Sequence, residues 1–224
     1  MSKKTIVKCC VDAAMFVLFL LLMGEFLLKE AHLWIGIAVA FLFILHTALN
    51  YKWYKALFKG KYSTMRIVQT VVNFLLLVNL IICIVSGVLV LPDVFIGYEI
   101  NVKIHLITSA WTFILMSVHL GLHWSIFVGI ASKGDLPDGL KTALKWVFRI
   151  ILCVIVLYGI YIFVERRFWE EMLLLIDYQK EYDYSKTPLV YIVESIALSV
   201  VFVSITYYIK KIFLKIWQKK EAIK

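Results

Sequence analysis

Apolar residues run along this chain in six long uninterrupted blocks separated by short polar segments, and neither a two-residue alternation nor a soluble heptad accounts for them. The blocks are Ile6–Leu28, His32–Tyr51, Ile67–Leu91, Lys103–Ile130, Ala143–Val164 and Pro188–Ile209. Each is long enough to cross about 30 Å of hydrocarbon, which takes roughly 20 helical residues. Lipid offers no partner to a bare backbone, so each block must close its hydrogen bonds internally as a helix. The pattern predicts an all-α, polytopic membrane protein: one domain over residues 1–224, six transmembrane helices in one bundle.

Composition agrees. Of the 224 residues, 62% are hydrophobic and 17% charged, against about 45–50% and about 25% in soluble domains. Three prolines and ten glycines leave no room for a long linker. The first block follows lysines, as a signal peptide would. It exceeds the 7–15 residues of a signal core and leads into Lys29-Glu30 without a small-residue cleavage site, so a retained helix is expected.

The net charge of +9 changes the picture only through its placement. With the N-terminus inside, 18 of the 24 Lys and Arg residues fall in the inner segments. This bias predicts a multi-pass protein of the plasma membrane with both termini cytoplasmic. Trp53, Trp124, Trp146 and Trp217 fall at the inner boundary, Trp34 and Trp169 at the outer. No basic stretch interleaved with aromatics speaks for nucleic acid. Segment 165–186 is acidic, with Phe168, Trp169, Met172, Leu173 and Ile176 at helical spacing; it predicts a short amphipathic helix on the outer face, covering the bundle or docking a partner. Cys9, Cys10, Cys83 and Cys153 show no metal or disulfide spacing and read as inert thiols within apolar runs, Cys9 and Cys10 doubling as palmitoylation candidates.

The candidate chemistry lies in the histidines. His32 and His46 stand on the second span, His105, His119 and His123 on the fourth, and there are no others. Both pairs His32/His46 and His105/His119 are fourteen residues apart. At about 100° per residue such pairs share a helix face, and at 1.5 Å rise their levels lie about 21 Å apart. The two spans run parallel, so facing helices put His32 against His105 near the outer surface and His46 against His119 near the inner one. One imidazole from each side suits the axial positions of a haem iron; zinc would require three or four ligands at one point. The spacing thus predicts two haem b groups, the outer iron held by His32 and His105, the inner by His46 and His119. His123, about 27 Å below His105, is read as a neighbour of the inner haem's propionates; exchange of roles between His119 and His123 is the alternative. Gly36, one turn from His32, could let a porphyrin edge approach, as could Gly87 and Gly121. Lys52, Arg66, Lys145 and Arg149 are candidate propionate partners inside, and Lys103 outside.

Several segments also resemble a known family. HLWIG from His32, LHTALNYKWYKALFKGKY from Leu45 and IHLITSAWTFILMSVHLGLHW from Ile104, with VDAAM at Val11 and IVQTVVNFLLL at Ile67, are similar to the flavinylation-associated cytochromes over roughly residues 5–130. The resemblance implies a transmembrane b-type cytochrome, related to ferric-reductase-like membrane domains, whose haem-binding histidines map onto His32, His46, His105 and His119. It also implies an extracytoplasmic FMN-carrying partner that receives electrons. Relatives often carry a second histidine directly after the one at His46; here Thr47 stands there.

These features predict an electron conduit fed by a quinol or a cytoplasmic reductase and delivering to an extracytoplasmic flavoprotein. It is an electron-transfer subunit more than a stand-alone enzyme. The rival readings are a self-contained membrane quinol or ferric reductase, with Gln69, Asn73, Asn79 or Glu194 lining a quinone pocket, and a histidine-dependent ion or metal transporter.

Overall fold

The fold is taken from a computed structural model, which describes residues 3–23, 29–91, 94, 97–131, 137–173, 175 and 187–221. Eight helices follow one another along these residues: α1 (Lys3–Leu22), α2 (Lys29–Leu49), α3 (Tyr51–Ala56), α4 (Thr64–Leu89), α5 (Tyr98–Ala131), α6 (Asp138–Glu165), α7 (Phe168–Leu173) and α8 (Pro188–Glu221). Among the described residues there is no strand. Six of the helices (α1, α2, α4, α5, α6 and α8) are long and apolar enough to cross a membrane, one for each apolar block. The second and fourth spans are α2 and α5.

The ends of the helices differ from the apolar blocks for identifiable reasons. The second span stops at Leu49 because Asn50 turns its side chain back onto the His46 carbonyl (Nδ2–O 2.9 Å). The chain then leaves as the short α3, which carries Lys52, Trp53 and Lys55. α4 begins three residues ahead of its apolar block, where the Ser63 hydroxyl accepts the Arg66 N–H as an N-cap. α5 and α8 outrun their blocks at both ends or one, since polar residues continue a helix without entering the apolar zone. Residues 24–28, 174 and 176–186 and the side chain of Trp217 lie outside the described residues.

α5 is the centre of the bundle. It packs most closely on α4 and α8, α8 packs in turn on α6, and α1 pairs with α2 while touching α8. Small residues set these approaches. A Cβ on Gly121 would meet the Val203 carbonyl oxygen of α8 at 2.8 Å, and one on Gly159 of α6 would run into the Ala197 carbonyl oxygen. Between α5 and α8 the buried Ser117 and Ser199 hydroxyls share a hydrogen bond of 2.9 Å. Around this seam Phe19, Leu20, Ala110, Phe113, Ile114, Phe168 and Leu198 form the main apolar cluster.

Within segment 165–186, α7 is a short helix that includes Phe168, Trp169, Met172 and Leu173, whereas Ile176 lies outside the described residues. Arg167, at φ 52°, reverses the chain after α6, so that Phe168 is buried against Phe113 (5.8 Å between ring centroids) and Phe163 (6.1 Å). Trp111 of α5 donates its indole N–H to the Met172 carbonyl (3.0 Å). The described part of the segment therefore covers the bundle.

The remaining surface is apolar to a degree that only a lipid phase tolerates. Phe41, Ile44, Phe74, Ile150, Leu157 and Ile209 are each exposed by more than 60%. Cys153 belongs to this outward face, as do Cys9 and Cys10, so only Cys83 is the buried thiol expected of all four runs; α6 buries just its Gly159/Ile162 stripe, and Cys153 lies off it.

Candidate functional site

α2 differs from the other spans. Its close packing is with α1, and it stands off from α4 and α5. What reaches across that seam is histidine. At one level the rings of His32 and His105 lie with centroids 6.1 Å apart and planes at 77°. Two imidazoles on opposite sides of one metal, each bonded at about 2.0 Å, have centroids roughly 6 Å apart; the angle between their planes is free about that axis. Gly36, one turn from His32 on α2, has no atom within 4 Å of where a Cβ would be.

The second observation concerns ring nitrogens. Metal-bound histidines commonly donate their other N–H to an oxygen, which fixes tautomer and orientation. His105 Nδ1 lies 2.9 Å from the Cys83 carbonyl oxygen of α4. His119 Nδ1 lies 2.8 Å from Asn73 Oδ1, also of α4. His46 Nδ1 lies 2.6 Å from Asp12 Oδ1 of α1. A carbonyl, an amide oxygen and a carboxylate can only accept, so all three rings carry a proton on Nδ1. His46 Nε2 lies a marginal 3.5 Å from Asn50 Nδ2, and Asn50 also bonds the His46 carbonyl and receives Lys8 Nζ at 2.7 Å.

A Cβ on Gly87 would stand 2.9 Å from His105 Cε1, so the glycine admits the His105 ring against α4. Gly121 likewise serves the α5–α8 contact. Gly87→Leu is therefore expected to displace His105 and lower occupancy at the outer level. Metal or haem content at that level, measured beside an unaltered inner level, checks it.

The level of His119 is built differently. Here His119 and His123 are ring neighbours on α5, 4.9 Å apart and tilted by 51°. Both lie within electrostatic range of His46 and Asp12, while His46 and His119 are not brought into ring contact as the outer pair is. Lys210 of α8, whose ammonium donates to the Leu122 carbonyl, lies within electrostatic range of His123. Of the proposed propionate partners, Arg66 is committed to the 56–63 loop through the Lys61 and Ala56 carbonyls and the Tyr62 ring, and Arg149 lies over Trp146. Lys103 lines an open cleft of about 440 Å³ with Gly97, Tyr98, Glu99 and Ile100. Among the described residues no three His, Cys, Asp or Glu side chains converge on one point.

Three of the four polar residues that are candidates for a quinone pocket, Asn73, Asn79 and Glu194, are engaged within the protein. Asn73 holds His119, Asn79 donates to the Thr108 carbonyl and the Thr112 hydroxyl at 2.7 Å each, and Glu194 is paired with Arg166. Sequence reading overlooked Asp12. Its signal was present, since an ionisable residue within an apolar span is costly unless it has a partner or a function.

Together these features define a six-helix, membrane-type bundle with histidines from two helices gathered at two depths. No protein-family model matches the sequence, and neither a curated protein nor a solved structure matches it.

Proposed function

We propose that the chain is a two-haem b-type transmembrane cytochrome that carries electrons across the plasma membrane. The observation that carries this reading is the His32–His105 pair, set at the separation of two axial ligands across a seam where the helices themselves stand apart. Its support is the shared tautomer of His46, His105 and His119. His32 and His105 would hold one haem, His46 and His119 the other. Bound there, the groups supply one-electron iron couples.

The residues of the chain account for the rest. Cys83 O, Asn73 and Asp12 orient three ligand rings; the apolar outer faces of α2, α4 and α5 exclude water from the seam; His123 and Lys210 put hydrogen-bond donors and positive charge at the inner end, where propionates would lie. The two levels, about 21 Å apart along the helices, give an electron two stations between the faces of the membrane. With both termini cytoplasmic, the donor is a quinol or a cytoplasmic reductase. The acceptor is an extracytoplasmic flavoprotein, as the resemblance of residues 5–130 implies.

The test is a dithionite-reduced minus oxidised spectrum of the purified protein with haem quantified per chain. Sharp b-type bands and two haems per chain are expected. Absence of those bands ends the cytochrome reading, and one haem per chain ends the two-level one.

A further inference from the structure

The three oxygen acceptors on the ligand rings are not equivalent. His105 bonds a peptide carbonyl and His119 a side-chain amide, both neutral, whereas His46 bonds the carboxylate of Asp12. At 2.6 Å this is the shortest of the three, as charge-assisted bonds are. We propose that Asp12 is a positioning residue that lowers the reduction potential of the inner site and so biases electrons to move outward. The inference rests on the two-haem reading above.

The chemistry follows from the ring. A carboxylate that accepts the Nδ1 proton pushes electron density through the imidazole and makes Nε2 a stronger donor. A stronger axial donor favours ferric over ferrous iron, which is a lower potential. With haem bound, one electron would leave the inner level as its iron went from ferrous to ferric and would reach the outer level as that iron went from ferric to ferrous, with no proton moved. Two positive groups oppose the effect: Lys8, bonded to Asn50, and Lys210, beside His123. They act through space on the site as a whole, while Asp12 acts through a bond to a ligand atom, so its influence prevails. Asp12 belongs to α1, whose main packing partner is α2, so the pair also fixes the depth of His46.

Optical redox titration of the full chain in detergent, with haem quantified in each sample, tests this. Asp12→Asn keeps shape and an acceptor oxygen but removes the charge. It is expected to retain two haems per chain and to move one component upward by tenfold or more in its ferrous-to-ferric ratio, 59 mV per tenfold for one electron. The component that moves is the one left in His105→Ala protein, and the other stays in place. Asp12→Glu, which restores the carboxylate, returns the component toward its original position. An unmoved or lowered inner component overturns the proposal. If Asp12→Asn does not load, Asp12→Ser is the second neutral variant and must show the same upward shift; loss of the inner haem in both overturns the tuning role, since Asp12 would then serve binding alone. A wild-type protein without b-type bands fails the cytochrome reading itself, an outcome distinct from all of these.

Discussion

Replacing His105 by alanine is expected, on the proposed two-haem reading, to halve the haem content of the purified protein from two per chain to one, and to remove one of two components from its redox titration. The expectation follows from the ring's position, 6.1 Å from His32 across the seam, with its Nδ1 committed to Cys83 O and its edge seated on Gly87. No other histidine reaches that level, since His119 lies fourteen residues further along the same helix, about 21 Å away. The cavity left by the ring is the shape of imidazole, so added imidazole should restore the lost component, which a merely misfolded variant would not show. His119→Ala should remove the other haem. His123→Ala should remove neither, because the ring fixed by an acceptor is that of His119; loss of a haem in His123→Ala with both retained in His119→Ala would exchange their roles.

The second large effect is structural. Glu194→Ala is expected to destabilise the bundle by about 3–5 kcal/mol, the loss typical of a buried ion pair deprived of one partner. Glu194 is 4% exposed and Arg166 12%. The guanidinium donates through both Nε, at 2.8 Å, and Nη2 to the same carboxylate oxygen, and its face lies 3.7 Å from the centre of the Tyr191 ring. It also stands at the end of α6, where its backbone N–H closes the last turn on Ile162 O at 2.9 Å. Removing the glutamate therefore leaves a charge in a place already sealed by aromatic and helical neighbours. The paired replacement Arg166→Met with Glu194→Leu should recover most of the loss, since no charge then remains to be solvated. Thermal unfolding in detergent measures both. The haem potentials, if Glu194 is a packing residue, stay where they are in the wild type; a shifted potential would return Glu194 to the electron-transfer path.

The comparison of Glu194 with Asp12 shows how far sequence reading went. Both are acidic residues within apolar helices, and the primary structure marks both as unusual by the same argument. From sequence Glu194 fits either a quinone contact, under the rival reductase reading, or a polar residue packing helices; it is a partner of Arg166, twenty-eight positions away. Asp12 was passed over and holds His46, thirty-four positions away. Nothing local to either residue distinguishes them. The glycines tell the same story: Gly36 faces open space, Gly87 admits the His105 ring, and Gly121 and Gly159 admit the backbone of α8.

What the sequence determined by itself is what periodicity within a single segment can carry. Twenty apolar residues in lipid have one solution, so six helices and their order were legible. Fourteen residues of helix have one rise and one angle, so the two depths and the shared faces of His32/His46 and His105/His119 were legible as well. What only the tertiary structure decided is how those faces turn toward other helices. The azimuth of α2 depends on its packing with α1, and that of α5 on the small residues it shares with α8. These contacts are between residues far apart in the chain and satisfied by many local patterns. That is why the two levels could be counted from spacing, while Asp12, Asn73 and the Cys83 carbonyl, which orient the rings at those levels, had to be seen.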